Sequence, residues 1–353
     1  MTTNADALLT TPPGGSRMPL PPFDLANRVG ALGVDDWRNQ FEVLGAAIRR
    51  EVERLLPADW VWEGKRALDF GSGSGRALRH FEDLVPHNEF WGCDIHAESI
   101  DWLNDNLAPM RGVVCSHAPG LPLDSSSIDL IWATSVFTHL TDHWSGWLLE
   151  LHRLLAPGGV LIATFLGEAM SEAIAGEPWD DRRVGMNVTA YDESFDVGGP
   201  NVLMSPWWIN ARWSRAFDIL RIEPSGFMAA PGNGHGVVVA RKRPIPVTIA
   251  DLERPEHGEP REWTALLHQR ALLYREMTRW RARARQLELA GHVAAPAAGA
   301  AELPDDVQVV LDLAPQVIAE NHQLAEQVIE LAREAAELER EIERLKAQVP
   351  GPS

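Results

Sequence analysis

The sequence predicts an α/β fold in which helices cover both faces of a mostly parallel β-sheet. Short apolar runs alternate with helical stretches between residues 60 and 243, and this alternation is typical of consecutive βαβ units. A loop with three glycines follows the first apolar run, in the sequence ALDFGSGSGR. The 353 residues are 45% apolar, which is enough to form a large core.

Hydrophobic spacing predicts the individual elements. Within residues 24–56, Phe41, Leu44 and Ile48 recur at helical steps, and Pro57 ends the helix. Further helices are predicted at 74–84, 97–106 and 143–155, and strands at 67–70, 90–93, 112–115, 128–133, 160–165, 217–222 and 236–242.

The segment 166–210 interrupts this alternation. It is rich in Gly and Asp, and the tryptophans Trp207, Trp208 and Trp213 lie in it or directly after it. The segment is interpreted either as a lid over a site or as a folded surface excursion. The tryptophan rings would correspondingly stack on a sugar or cover the sheet.

The chain changes character after residue 243. We predict a flexible segment 1–23, a domain 24–243, a linker 244–259, a helix 260–290, a second linker 291–306 and a helical or coiled-coil tail 307–348. In the tail, apolar residues recur at steps of four and three from Val317 to Leu345, broken by Asn321 at a core position. The heptads predict a homo-oligomer formed through 315–348, and an amphipathic helix folded back on the domain is the alternative.

Charge and composition restrict the partners. The net charge of −18 argues against a nucleic acid, whose phosphates require clustered Lys and Arg. No window approaches the roughly 18 apolar residues of a membrane-spanning helix, and the N-terminus lacks a signal-peptide pattern. Cys93 and Cys115 both lie in strand-like runs and are expected to be free thiols. We therefore expect a cytoplasmic protein.

The glycine loop predicts a ligand that approaches the backbone. Gly71 and Gly73 permit a tight turn and have no Cβ to collide with that ligand. Asp94 ends the second predicted strand, where a carboxylate can bind both hydroxyls of a ribose. Asp69 precedes the loop and would repel a pyrophosphate, but it can pair with an ammonium group. A ribose joined to an amino acid is found in S-adenosylmethionine.

Four motifs carry a family resemblance, namely LDFGSGSGR, GCDI, LPLDSSSIDLIWATSVFTHL and ELHRLLAPGGVLIAT. Together they resemble class I S-adenosylmethionine-dependent methyltransferases over residues 24–243. SVFTHL, with the upstream stretch LANRVGALGVDDWRNQFEVLG, is similar to a bacterial subgroup often linked to sugar and polysaccharide biosynthesis. The resemblance implies a Rossmann-like seven-stranded sheet whose last strand is antiparallel.

The resemblance also implies roles for individual residues. The cofactor S-adenosylmethionine would lie with its methionine part near the glycine loop, its ribose on Asp94 and its adenine on Ile95, beside the backbone of Ala118. The cofactor-binding residues implied are Asp69, Gly71, Ser72, Gly73, Asp94, Ile95, Ala118 and Ser135.

The acceptor is expected beyond the fourth strand, where residues 134–143 read TSVFTHLTDH. His139 is the candidate general base, and positioning of the helix start is its alternative role. His235 would be a second base or a surface-turn residue. His139 and His143 have no evident third partner for a metal, so no metal site is predicted.

Three functions follow from these patterns. The first is O-methylation of a sugar or glycan hydroxyl, and the second is methylation of a secondary metabolite. The third is a non-catalytic scaffold that keeps the methyltransferase fold and recruits partners through its tail.

Overall fold

A computed structural model describes residues 16–28, 35–190, 199–230, 233–256 and 258–294. The chain divides into two units, Met1–Ala284 and Arg285–Ser353. The first unit contains the sheet and the candidate site. Of the second, the end of one helix is described, and the predicted coiled coil at 315–348 lies outside the described residues.

The sheet has seven strands in the order β3-β2-β1-β4-β5-β9-β8. β9 runs antiparallel to both of its neighbours, and the other strand pairs are parallel. The predicted mostly parallel sheet with an antiparallel last strand is confirmed. A separate antiparallel pair, β6–β7, stands beside it. The strands are β1 Arg66–Phe70, β2 Glu89–Asp94, β3 Arg111–Val114, β4 Ile128–Ala133, β5 Leu155–Phe165, β6 Met186–Thr189, β7 Asn201–Met204, β8 Phe217–Ala230 and β9 Asn233–Lys242.

Helices pack on both faces of this sheet. On one face, α2 buries Ile48, Val52 and Leu55 against strand residues, and each such side chain contributes about 1.5–3 kcal/mol on burial. On the other face, α4 buries Leu148 and Leu151. The α-helices of the described residues are α1 Phe23–Asn27, α2 Trp37–Leu55, α3 Ala97–Asn106, α4 Trp144–Leu154, α5 Ser171–Ala175, α6 Pro206–Trp213, α7 Ile249–Glu253 and α8 Arg261–Ala294.

The α-helix predicted at 74–84 is wrong. The chain forms turns there, followed by a short 3-10 helix, Leu78–Phe81. Helix α2 lies so close to this segment that a Cβ on Gly45 would overlap the Arg76 carbonyl oxygen and the His80 ring. Where this segment packs against α2, its backbone is therefore wound more tightly, as a 3-10 helix, than the apolar spacing alone predicts.

The segment 166–210 folds onto the domain as a set of short elements, and we call it the insertion. It contains a 3-10 turn at Glu168–Met170, helix α5, the β6–β7 hairpin and the start of α6. The rings of three tryptophans are buried in the hydrophobic core on the α4 face of the sheet, which we call the main core. They are Trp207, Trp208 and Trp213. The tryptophans therefore cover the sheet, and their interpretation as a sugar-stacking surface is wrong.

Residues 244–259, predicted as a linker, contain helix α7, whose Leu252 is fully buried in the main core. Helix α8 follows and buries Ala265, His268 and Leu272. The side chains of Trp263 and Leu266, on the same helix, are exposed. The domain boundaries themselves stay predictions.

Candidate cofactor and acceptor site

The glycine loop is tied to the end of the neighbouring strand. The backbone N–H groups of Gly71 and Ser72 both donate to the Cys93 carbonyl oxygen, at 2.8 and 2.9 Å. Gly71 has φ +83°, and a Cβ at this position would overlap the Val136 side chain. Glycine is therefore required here both for its backbone conformation and for the close approach of Val136.

Asp94 joins the loop to strand β2. Its Oδ2 accepts a hydrogen bond from the Gly73 N–H at 2.8 Å, and its Oδ1 accepts one from the His96 N–H at 2.9 Å. A carboxylate has about four acceptor positions, so these two bonds leave capacity for ribose hydroxyls. The structure thus gives Asp94 a role in shaping the loop, and its role as a ribose ligand stays a prediction.

Asp69 lies at the carboxyl end of β1 and is only 3% exposed. Burial raises the pKa of its carboxyl to about 8, the Arg76 cation opposes this shift, and the Asp94 charge adds to it. A cationic group placed beside Asp69 would stabilise the ionised form. Arg76 was not predicted as a site residue, although it directly follows the last glycine of the loop.

The residues predicted to surround the adenine lie at the same edge of the sheet. Ile95 follows β2 and is 41% exposed, and Ala118 is exposed beyond β3. The Trp147 indole N–H donates to the His117 carbonyl oxygen at 3.0 Å, which fixes the backbone next to Ala118. The two side chains therefore remain accessible to a planar apolar ligand.

We call residues 134–143 the acceptor segment. Its second residue, Ser135, has a left-handed conformation, with φ +59°. Its N–H donates to Thr164 Oγ1 at 2.7 Å, and its hydroxyl lies 3.2 Å from the Thr138 hydroxyl. Thr164 was not predicted as a site residue. A hydroxyl near the carboxyl end of an otherwise apolar strand was the available signal.

The structure fixes the orientation of His139. Its Nδ1 lies 2.8 Å from the Pro200 carbonyl oxygen. Because a carbonyl only accepts, Nδ1 carries the proton of the neutral ring, and the basic lone pair is on Nε2. This is the tautomer that a general base using Nε2 requires. Pro200 belongs to the insertion, and no sequence pattern pointed to its carbonyl.

His235, on β9, lies within the electrostatic influence of His139. Burial lowers the pKa of His235, and the positive form of His139 would lower it further. His235 therefore favours the neutral state beside the acceptor segment. Among the described residues, no group of three His, Cys, Asp or Glu side chains is placed to hold a metal ion.

Both cysteines are free thiols, as expected. Burial raises the pKa of Cys93, which is hydrogen-bonded to Cys115. Cys93 is therefore held as the protonated donor just behind the glycine loop. No helix in the described part of the chain is long and apolar enough to cross a membrane.

The residues present fit S-adenosylmethionine. The loop approaches its neighbours too closely for side chains at Gly71, a buried carboxyl at Asp69 favours a cationic partner, and Asp94 retains acceptor capacity. Asp69 would hold the ammonium group, Asp94 the ribose and Ile95 the adenine.

Comparisons with known proteins agree with this geometry. A family model described as a methyltransferase domain matches residues 68–163. The 27-O-demethylrifamycin SV methyltransferase of Amycolatopsis mediterranei is 28% identical over 163 residues, 44% of this chain and 58% of the relative. A malonyl-[acyl-carrier protein] O-methyltransferase of Methylococcus capsulatus is 33% identical over 133 residues, 35% of this chain and 46% of the relative.

The chain thus spans about half the length of the curated relatives it matches. Among solved structures, an S-adenosylmethionine-dependent methyltransferase from Mesorhizobium loti is 20% identical, with a TM-score of 0.43. The match covers 56% of this chain and 99% of that one. The family match falls on strands β1 to β5. The segment from β1 to β5 therefore resembles a methyltransferase domain.

Proposed function

We propose that the protein transfers the methyl group of S-adenosylmethionine to an oxygen atom of an acceptor, with His139 as the general base. The observation that carries this proposal is the bond between His139 Nδ1 and the Pro200 carbonyl oxygen, 2.8 Å long. It leaves Nε2 as the basic nitrogen at the carboxyl edge of the sheet, where ligands of open α/β sheets bind.

Different residues would bind the cofactor and accept the proton. The cofactor supplies an electrophilic methyl group when bound. Asp69 and Asp94 would hold it at two points, and such alignment of two reactants can lower a barrier by about 7–11 kcal/mol. His139 would take the proton from the acceptor hydroxyl, which typically contributes about 10²–10⁴ in rate.

Oxygen is the favoured acceptor atom because two relatives are named for it. One is named for 27-O-demethylrifamycin SV and the other for the O-methylation of a malonyl-acyl carrier protein. The first name supports a hydroxyl of a secondary metabolite. A sugar or glycan hydroxyl stays a second proposal, supported by the SVFTHL resemblance and no longer by the tryptophans.

A methyl-transfer assay with His139→Ala tests this function. The acceptor panel would contain a polyketide-type phenol or alcohol, a malonyl-acyl carrier protein and free and nucleotide-linked sugars. We expect one oxygen acceptor to be methylated, with a loss of about 10²-fold or more in kcat for His139→Ala. His87→Ala is the control, because His87 is exposed and lies just before β2, at the amino edge of the sheet.

Unchanged methylation by His139→Ala would show that His139 is not the general base. Cofactor binding without transfer to any acceptor, in a protein whose biological role survives Asp94→Ala, would favour the scaffold function.

We also infer that the protein self-associates through residues 315–348. The support is the heptad spacing of the sequence from Val317 to Leu345. The glycine loop and His139 lie in the first unit of the chain, so self-association is expected to be independent of cofactor binding.

A further inference from the structure

The β6–β7 hairpin is hydrogen-bonded to the acceptor segment along one edge. The Val202 N–H donates to the Thr138 carbonyl oxygen at 2.8 Å, and the Pro200 carbonyl accepts from His139 Nδ1. Further along β7, the Met204 N–H donates to the Leu166 carbonyl oxygen at 2.9 Å. Pro200, whose carbonyl oxygen is bonded to His139, directly precedes strand β7.

The opposite edge of the hairpin is closed by the side chain of Gln269, from helix α8. Its Oε1 accepts from the Val188 N–H at 2.8 Å, and its Nε2 donates to the Val188 carbonyl oxygen at 3.2 Å. Asn187 Nδ2 also donates to Oε1, at 3.2 Å. The primary amide thus occupies the place that the peptide group of a third strand would take.

The two edges belong to the same pair of strands. Val188 lies opposite Val202 in the antiparallel register. The backbone hydrogen-bonding groups of the two residues point in opposite directions. The N–H and C=O of Val188 bond to Gln269, and the N–H of Val202 bonds to Thr138. Val188 and Val202 are 7% and 0% exposed, so a displacement at Gln269 is transmitted through close packing.

Other contacts hold the start of α8 firmly on the protein. Glu262 forms a buried ion pair with Arg212 at 2.6 Å. His268 Nδ1 lies 3.0 Å from the Arg183 carbonyl oxygen, and its Nε2 lies 3.0 Å from Glu177 Oε2. Gln269 therefore projects from a fixed element, which is what a positioning group requires.

We propose that Gln269 is a positioning residue for His139. Its amide clamps the hairpin and so fixes the Pro200 carbonyl, which holds the Nδ1 proton and keeps Nε2 as the basic nitrogen. The inference rests on the proposed function only in that His139 is the base. Loss of the amide would let the His139 ring populate the other tautomer. The glycine loop, which follows β1 and is bonded to the end of β2, would be unaffected.

The experiment uses the full chain with three variants. Gln269→Leu removes all three hydrogen bonds and keeps the approximate size of the side chain. Gln269→Glu keeps the acceptor for Val188 and Asn187 and loses only the donor, so it carries the test if the leucine variant does not fold. Gln286→Leu is the matched control, since Gln286 is exposed on the same helix.

The expected kinetic result is a loss confined to turnover. Gln269→Leu should lower kcat about tenfold, since small misplacements of catalytic groups are costly, with an unchanged KM for S-adenosylmethionine. Gln269→Glu should be intermediate, and Gln286→Leu should match the wild type. An equal fall in both Gln269→Leu and Gln286→Leu would overturn the proposal.

Nitrogen-15 NMR of the histidine rings gives a readout that does not need activity. The wild type should show His139 protonated at Nδ1 at neutral pH, and Gln269→Leu should show a mixture of tautomers. An unchanged His139 tautomer in Gln269→Leu would overturn the positioning role. If the tautomer responds while the wild type transfers no methyl group to the panel, the proposed function fails and the link from Gln269 to His139 stands.

Discussion

Asp69 is the residue whose surroundings say most about the ligand. A buried carboxyl is costly to ionise, and the pKa of Asp69 is raised to about 8 by burial, against the effect of Arg76. A cationic ligand beside Asp69 would stabilise the carboxylate and lower this pKa.

This environment predicts proton release when the cofactor binds. With a pKa of about 8, Asp69 holds about 0.9 of a proton at pH 7. An ammonium group beside it stabilises the carboxylate, lowers the pKa and expels that proton. Above pH 9 the carboxyl is already ionised, so the release should fall as the pH rises from 7 to 9.

Titration calorimetry in buffers of different ionisation enthalpy measures the number of protons released. We expect close to one proton for the wild type at pH 7 and almost none for Asp69→Asn, which cannot titrate. Equal release by the two proteins would place the titrating group elsewhere.

Among the helices and strands, the elements with regular hydrophobic spacing were predicted most accurately. Strand β4 and helix α3 begin and end at the predicted residues, because their apolar periods are uninterrupted. The segment 74–84 failed because its winding accompanies the approach of α2 at Gly45, a contact between parts of the chain that are distant in sequence. Helix α7 lies within the predicted linker 244–259. It was not predicted, because it is only five residues long.

The candidate site was predictable only where its residues have a recognisable side chain at the end of a strand. Asp69, the glycines and Asp94 lie at strand ends and carry recognisable side chains. The groups that orient His139 are the backbone carbonyl of Pro200 and, through the hairpin, the amide of Gln269. A backbone carbonyl has no residue-type signal, and Gln269 lies 130 residues beyond His139 in the sequence.

At the scale of the whole molecule, the acidic domain and the heptad-rich tail are expected to act separately. Deleting residues 315–353 should lower the oligomeric state, because the deletion removes the apolar heptads. The affinity for S-adenosylmethionine should stay nearly constant, since the described site lies in Met1–Ala284. Light scattering gives the mass of each particle and therefore the number of subunits in it. An equal number of subunits for the full chain and the deletion variant would exclude self-association through this tail.

We propose that the bare backbone at residues 71–75 holds S-adenosylmethionine. The decisive experiment is titration calorimetry of that cofactor into the full chain, with Asp94→Ala as the comparison. We expect micromolar binding by the wild type and loss of detectable binding in Asp94→Ala, because Asp94 both shapes the loop at Gly73 and would bind the ribose. Absence of binding by the wild type, or equal binding by both proteins, would show that the loop does not hold this cofactor.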